Sequence, residues 1–261
     1  MRDTLLLMKE SYVALSTESF PDPAQYGREW AEDYDATQTP SEAETMTAVE
    51  ALSYLANGQP VLEVAAGTGR IAIPLAQKGL AVTATDASEA MLRKLREKDA
   101  HNIVDARIDV LPHMSVKKQY GLICLLLNSI WVMQTADEQR NWLRSAAKRL
   151  ITNGILVVEM GVLNLQTLVE PRDFQAVDGI MTRTSVWNPV TQKLLHRFEF
   201  KPGAGVIKET RDVILRAIFP AELLLMAELE GLRMEAVWSD WNKKAFDADS
   251  RKMIVLFKRA R

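Results

Sequence analysis

Cysteine is nearly absent: Cys124 is the only one in 261 residues, and it lies within an apolar run. That excludes a disulfide framework and any cysteine-built metal site, and it points to a reducing, cytoplasmic compartment. Long hydrophobic runs are also missing, so no membrane-spanning helix is expected. Leu5-Leu6-Leu7-Met8 is bracketed by Asp3, Lys9 and Glu10 too tightly for a signal peptide. Neither sign of charge is in excess: 32 basic against 34 acidic residues leave a formal charge of −2. That balance offers no basic face for DNA or RNA, and Lys258-Arg259-Arg261 reads as a solvated tail. Histidine is sparse, with 3 in the chain. No cluster of carboxylates and histidines has metal-ligand spacing, so no metal is expected.

What the chain does have is an ordinary globular composition, 48% hydrophobic and 25% charged, on a length that suits one large α/β domain or two small ones. Its organising stretch is Val61–Ala76, VLEVAAGTGRIAIPLA. A short apolar run carrying Glu63 leads into Ala65, Ala66, Gly67, Thr68 and Gly69, and a helical pattern starts at Arg70. Glycines let a backbone turn sharply and approach a ligand closely. The free N–H groups of a helix start then face that ligand.

Around this stretch the pattern alternates. Residues 1–20 have helical spacing at Leu5, Met8, Tyr12 and Leu15, ended by Pro21-Asp22-Pro23. Tyr26, Trp30 and Tyr34 are four apart, so one helix face would carry all three, as packing or as a lid over a ligand. Ser41 and Glu44 open a helix with the stripe Met46, Val49, Leu52 and Leu55, and Asn57-Gly58 stops it. Buried strands are predicted at Val61–Val64, Leu80–Thr85, Ile103–Ile108, Leu122–Leu127 and Ile155–Val158. They end at the glycine turn, Asp86, Asp109, Asn128-Ser129 and Glu159. Ser88 caps one intervening helix, and the Thr135–Glu138 capping box opens another.

Continuous apolar strands alternating with helices mean a parallel sheet covered on both faces. Ligands in such sheets bind beyond the carboxyl ends of the strands, where these acids would collect. The rhythm then changes to short strands near Met181–Trp187, Leu194–Phe200 and Thr210–Ile218, separated by Asn188-Pro189 and Pro202-Gly203-Ala204-Gly205. A helix from Pro220 and strands near Arg233–Trp238 and Met253–Lys258 close the chain, joined by Ser239–Ser250, long enough to reach over a site.

Gly67-x-Gly69-x-x-Ala72 with Asp86 about twenty residues on also fits a dinucleotide fingerprint. Against it stand Glu63 within the strand, the small run Ala65-Ala66-Gly67, and the lack of a Tyr-x-x-x-Lys pair or a second nucleotide-binding half. Together Val61–Ala76, Asp86–Leu92, Asp109, Asn128-Ser129 and Arg149–Glu159 resemble the class I, Rossmann-like S-adenosylmethionine-dependent methyltransferases. The likeness is to members that act on small molecules, natural products and amino compounds.

That resemblance implies an α/β fold: a doubly wound, mostly parallel seven-stranded sheet with an antiparallel insertion after the fifth strand. Residues 1–40 would form a helical lid segment and 41–261 the cofactor domain, with the insertion at about 175–218. It implies that Glu63 orders the glycine turn, that Ala65, Gly67, Thr68 and Gly69 lie along the methionine part of the cofactor, and that Asp86 takes the ribose hydroxyls. Ala87, Ser88 and Met91 would lie by the adenine, Asp109 would take its amino group with Val110 alongside, and Asn128 would complete the site. Asp105 is a rival to Asp109. Tyr26 and Tyr34 resemble lid tyrosines.

The resemblance also bears on the methyl acceptor. Sugar-amine members carry a histidine four residues after the position of Asn128; here that residue is Val132, beside Trp131, which favours an aromatic or apolar acceptor bound by Trp30, Trp131 and Val132. Glu159 and His196 are the candidates for a base. No Asn/Asp-Pro-Pro-Tyr motif follows the fourth strand, so an adenine or glutamine amide target is not expected. The expected reaction is methyl transfer to N, O or C of a small acceptor, without nucleic acid, membrane or metal, with a homodimer as one assembly open to it. An NAD(P)-dependent oxidoreductase and a non-catalytic cofactor-binding protein stay open as alternatives.

Overall fold

Each strand of the main sheet divides its side chains between two cores, because successive residues point to opposite faces. In β1 (Val61–Val64), Leu62 and Val64 join one core and Val61 the other. In β4 (Tyr120–Leu125), Ile123 and Leu125 go one way, Leu122 and Cys124 the other. The computed structural model describes residues 22–164, 172–176, 179–201 and 207–260. The helix expected in residues 1–20 and the Pro202–Gly205 turn lie outside the described residues.

Helices α1 (Gln25–Trp30) and α2 (Tyr34–Thr37) precede α3 (Glu42–Ala56) and β1. Then come α4 (Ala72–Gln77), β2 (Val82–Asp86), α5 (Glu89–Lys98), β3 (Val104–Ile108), β4, α6 (Ala136–Arg149) and β5 (Leu150–Gly161). An antiparallel meander follows: β6 (Arg172–Ala176), β7 (Gly179–Asn188), β8 (Lys193–Lys201) and β9 (Glu209–Arg216). Helix α7 (Pro220–Leu229), β10 (Leu232–Trp238) and β11 (Lys252–Arg259) complete the chain.

The seven-stranded sheet runs β3-β2-β1-β4-β5-β11-β10. The first five strands are parallel, and β11 is antiparallel to both neighbours. This is the doubly wound Rossmann-like sheet with an antiparallel insertion after the fifth strand. Its order reverses at β1 and β4, so a crevice opens at their carboxyl ends. No helix among the described residues is long and apolar enough to cross a membrane.

Several local expectations change. Met46 is 42% exposed, and the inner face of α3 is instead Ala48, Val49, Ala51 and Leu52. Tyr26–Asp35 forms two short helices, yet Tyr26 still meets both Trp30, at 5.7 Å, and Tyr34, at 6.2 Å. The Ser239–Ser250 loop turns inward: Trp241 is buried and bonds to Glu159. The meander is fastened to the main domain by buried Arg216, which bridges to Glu222 at 2.6 Å and donates to Gln139.

Candidate active site

Beyond the carboxyl ends of β1, β2 and β4 lies a cavity of about 420 Å3, within the range of small-ligand sites. The glycine turn forms its floor. Ala65 and Gly67 sit at φ +54° and +56°, a region that costs a residue with a side chain about 1–2 kcal/mol. A Cβ on Gly67 would point at Tyr34, 3.7 Å away. Bare backbone therefore faces the opening.

Asp86, at the end of β2, holds this turn. Its Oδ2 accepts from the Gly67 N–H at 2.8 Å and its Oδ1 from the Ser88 N–H at 2.9 Å. Each oxygen keeps a further lone pair for a ligand. Burial pushes the Asp86 carboxyl up, opposed by the backbone N–H groups of Ser88, Gly67 and Ala87. Asp109, after β3, accepts from the N–H groups of Val110 and Ser115 and so folds the following loop against the cavity. Glu63 is buried below the turn. Burial raises its pKa to about 8, against the pull of the Arg70 charge and the Ala72 N–H. Its Oε2 has no hydrogen-bond partner.

Residues between Asp22 and Gln38 cover one side of the cavity. Trp30 is fully buried against Phe198 at 5.0 Å, and the Arg211 guanidinium lies over both Trp30 and Phe200 while pairing with Asp33. This latch places Tyr26 and Tyr34 against the cavity. Burial drives both phenols up, Tyr34 to about 12, so both stay neutral hydrogen-bonding groups. Gly27 lets α1 approach α5 closely: a Cβ there would lie 2.2 Å from the Ser88 Cβ. Gly27→Ala is therefore expected to push α1 off Ser88 at a cost of about 1–3 kcal/mol. Calorimetry should show weaker cofactor binding, and unchanged binding would mean that the lid does not bear on the site.

The meander supplies the far wall. Cross-strand neighbours Ser185, His196 and Val213 lie side by side on β7, β8 and β9, and His196, Phe198 and Val213 line the cavity. Ser185 Oγ is 2.7 Å from His196 Nδ1. Burial and the nearby Arg183 charge lower the His196 pKa to about 3, so the imidazole is neutral at physiological pH.

Of the residues singled out in the sequence, the cavity gathers Tyr26, Tyr34, Ala65, Gly67, Asp86, Ala87, Met91, Asp109, Asn128, Trp131, Val132 and His196. Others do not line it. Thr68 turns its hydroxyl to Asp35, which also pairs with Lys98, and so ties α2 to the turn. A Cβ on Gly69 would strike Leu95, so that glycine serves packing on α5. Ser88 is buried as the cap of α5. Val110 and Glu63 sit behind the lining, and Trp30 is part of the latch.

Glu159 is a clear correction to the choice of base. Its carboxylate is buried, paired with Lys252 at 3.0 Å, and accepts from Trp241 Nε1 and the Leu127 N–H. So occupied, it is not a free proton acceptor, and it does not line the cavity. Asn128 spends its Oδ1 on the Gly161 N–H, joining the ends of β4 and β5. Gln134, Arg183 and Leu215 line the cavity without having been singled out. They come from an irregular turn and from antiparallel strands that carry no local signature.

The family model described as "Methyltransferase domain" matches residues 61–154. The structure of the CcbJ methyltransferase from Streptomyces caelestis superposes with a TM-score of 0.84 and 30% identity, covering 92% of this chain and all (100%) of that one. The chain belongs to the S-adenosylmethionine-dependent methyltransferases. A curated relative, the cypemycin N-terminal methyltransferase of a Streptomyces species, is 24% identical over 216 residues, 78% of this chain and 84% of that protein. CalS10, an amino pentose methyltransferase from Micromonospora echinaspora solved with S-adenosylmethionine bound, shares the fold. Its TM-score is 0.65 at 13% identity, covering 93% of this chain and 99% of that one. The cofactor of this methyltransferase is S-adenosylmethionine.

Proposed function

We propose that this methyltransferase acts on the amine nitrogen of a small, largely apolar molecule. One observation carries the choice of nitrogen. Among the described residues, five carboxylates line the cavity, Asp22, Asp86, Asp109, Glu138 and Asp212, with Arg183 the one lysine or arginine. Arg28 and Arg197 pair with Asp22 and Asp212, while Asp86, Asp109 and Glu138 meet only N–H groups. With Asp86 and Asp109 facing the cofactor, Glu138 is the carboxylate left for the acceptor side; such a lining favours cations, and an amine is cationic in water. The printed names of two relatives, the N-terminal and the amino pentose methyltransferase, also describe nitrogen-bearing acceptors.

The residues divide by position. Ala65 and Gly67 offer bare backbone to the methionine portion of the cofactor, with Tyr26 and Tyr34 closing over it from the lid. Asp86 takes the ribose hydroxyls, and Ala87, Met91 and Asp109 surround the adenine. Trp131, Val132, Leu215 and Phe198 form the apolar acceptor walls. When bound, the cofactor supplies a sulfonium methyl group: the nitrogen lone pair makes the C–N bond while the C–S bond breaks and sulfur keeps its electron pair. The protein's task is then alignment and exclusion of water. His196, neutral down to about pH 3, does not store the amine's proton. That proton leaves to water before attack, and the imidazole accepts a hydrogen bond from a remaining N–H, turning the lone pair toward the methyl group.

The test is a panel of apolar primary and secondary amines matched with phenols and alcohols of the same shape, incubated with S-adenosylmethionine and analysed by mass spectrometry. N-methylation of amines, with the hydroxyl analogues untouched, is the expected outcome. Methylation of the hydroxyl analogues alone would overturn the choice of nitrogen.

A further inference from the structure

We infer that Ser185 is a positioning residue for methyl transfer, holding His196 in the tautomer and orientation that present the Nε2 lone pair to the acceptor. This rests on the role proposed above for His196. Ser185 and His196 are directly opposite one another on β7 and β8, and the Ser185 hydroxyl lies 2.7 Å from Nδ1. Ser185 is only 7% exposed, and among the described residues its side chain has no other hydrogen bond. A buried serine whose single polar contact is a cavity histidine has one evident effect, which is on that ring.

A serine hydroxyl can donate or accept, and the role proposed for Nε2 requires one of the two directions. In a neutral imidazole one nitrogen donates and the other accepts. For Nε2 to receive the acceptor's N–H, the ring proton must sit on Nδ1 and be donated to Ser185 Oγ. The reverse bond, from the serine hydroxyl to Nδ1, would place N–H on Nε2 and repel an amine hydrogen. Phe198 meets the ring edge-on at 6.1 Å, and Val213 is its apolar neighbour on β9. Neither offers a polar atom to fix a tautomer. Burial keeps the ring neutral, with the charge of Arg183, on the same strand as Ser185, adding to it.

The test begins with the full chain labelled with 15N at histidine and saturated with S-adenosylhomocysteine. The His196 spectrum should show a protonated Nδ1 and a bare Nε2. Ser185→Ala should give a mixture of tautomers, and Ser185→Thr, which keeps the hydroxyl, should restore the original. A bare Nδ1 in the parent protein, or an unchanged tautomer in Ser185→Ala, would overturn the inference.

Kinetics supply the second arm. With the best amine of the panel, Ser185→Ala should lower kcat about ten- to a hundredfold without altering S-adenosylhomocysteine affinity, and Ser185→Thr should recover most of it. A normal kcat in Ser185→Ala would overturn the inference. An unchanged kcat in His196→Phe, which has no acceptor, would defeat the role given to His196 and this inference with it, whereas a normal kcat confined to Ser185→Ala would overturn the inference alone.

Discussion

Replacing Asp86 by alanine is expected to weaken S-adenosylhomocysteine binding about a hundredfold, roughly 3 kcal/mol, and to leave the fold intact. Two losses contribute, and water entering the cavity offsets part of each. The Gly67 and Ser88 N–H groups lose the carboxylate that fixes the turn, at 2.8 and 2.9 Å. The ribose hydroxyls lose their charged acceptor as well, and hydrogen bonds to ionised groups contribute about 1.5–3 kcal/mol each. Stability suffers less, because the freed N–H groups face a cavity that admits water. Calorimetry gives the affinity, and Asp105→Ala serves as control. Asp105 pairs with Arg107 and does not line the cavity, so its removal should not change binding. Equal affinity in Asp86→Ala and the parent would show that the ribose sits elsewhere.

The second large effect concerns Glu63. Its folded-state pKa is about 8, against an ordinary 4.5, chiefly because the carboxyl is buried. Between those values the unfolded chain releases a proton that the folded protein retains, so stability must fall as pH rises through the window. Glu63→Gln removes the titration while keeping the shape. The protonated acid already leaves a polar atom without a partner, and the amide adds one further N–H donor, which offsets part of the gain. At pH 8 the variant should therefore be more stable than the parent by about 2–4 kcal/mol, and the two should converge near pH 4.5. Denaturant unfolding of the cofactor-free protein across that range measures the difference. A variant that is less stable at pH 8 would mean that Glu63 is ionised and compensated in the folded state.

The main sheet and the strand ends that border the cavity were legible because they obey local rules. Apolar runs of strand length, each closed by an acid or a small-residue turn, are contiguous in the chain. The ends of β1, β2, β3 and β4 all fell where those signals stand, within a few residues. What escaped is set by contacts between distant residues. Glu159 has the address of a base, but Lys252 and Trp241, both supplied by the last strand and the loop before it, claim its carboxylate. Trp30 shares an aromatic row with Tyr26 and Tyr34, yet Arg211 and Phe198 from the meander draw it into a packed latch. Thr68 belongs to the glycine turn by sequence and to Asp35 by contact. The wall proposed for the acceptor is an antiparallel meander whose alternating pattern shows strands without showing which face meets the cavity. His196 could be suspected there, but its partner Ser185 could not.

The most direct measurement is a crystal structure of the methyltransferase with S-adenosylhomocysteine and an amine acceptor bound together. The homocysteine portion should lie along Ala65–Gly67 and the ribose on Asp86. The acceptor nitrogen should lie in line with the sulfur and within hydrogen-bond reach of His196 Nε2, with Trp131 and Val132 against its apolar body. An acceptor nitrogen directed away from His196, or a ribose not held by Asp86, would contradict the proposed site.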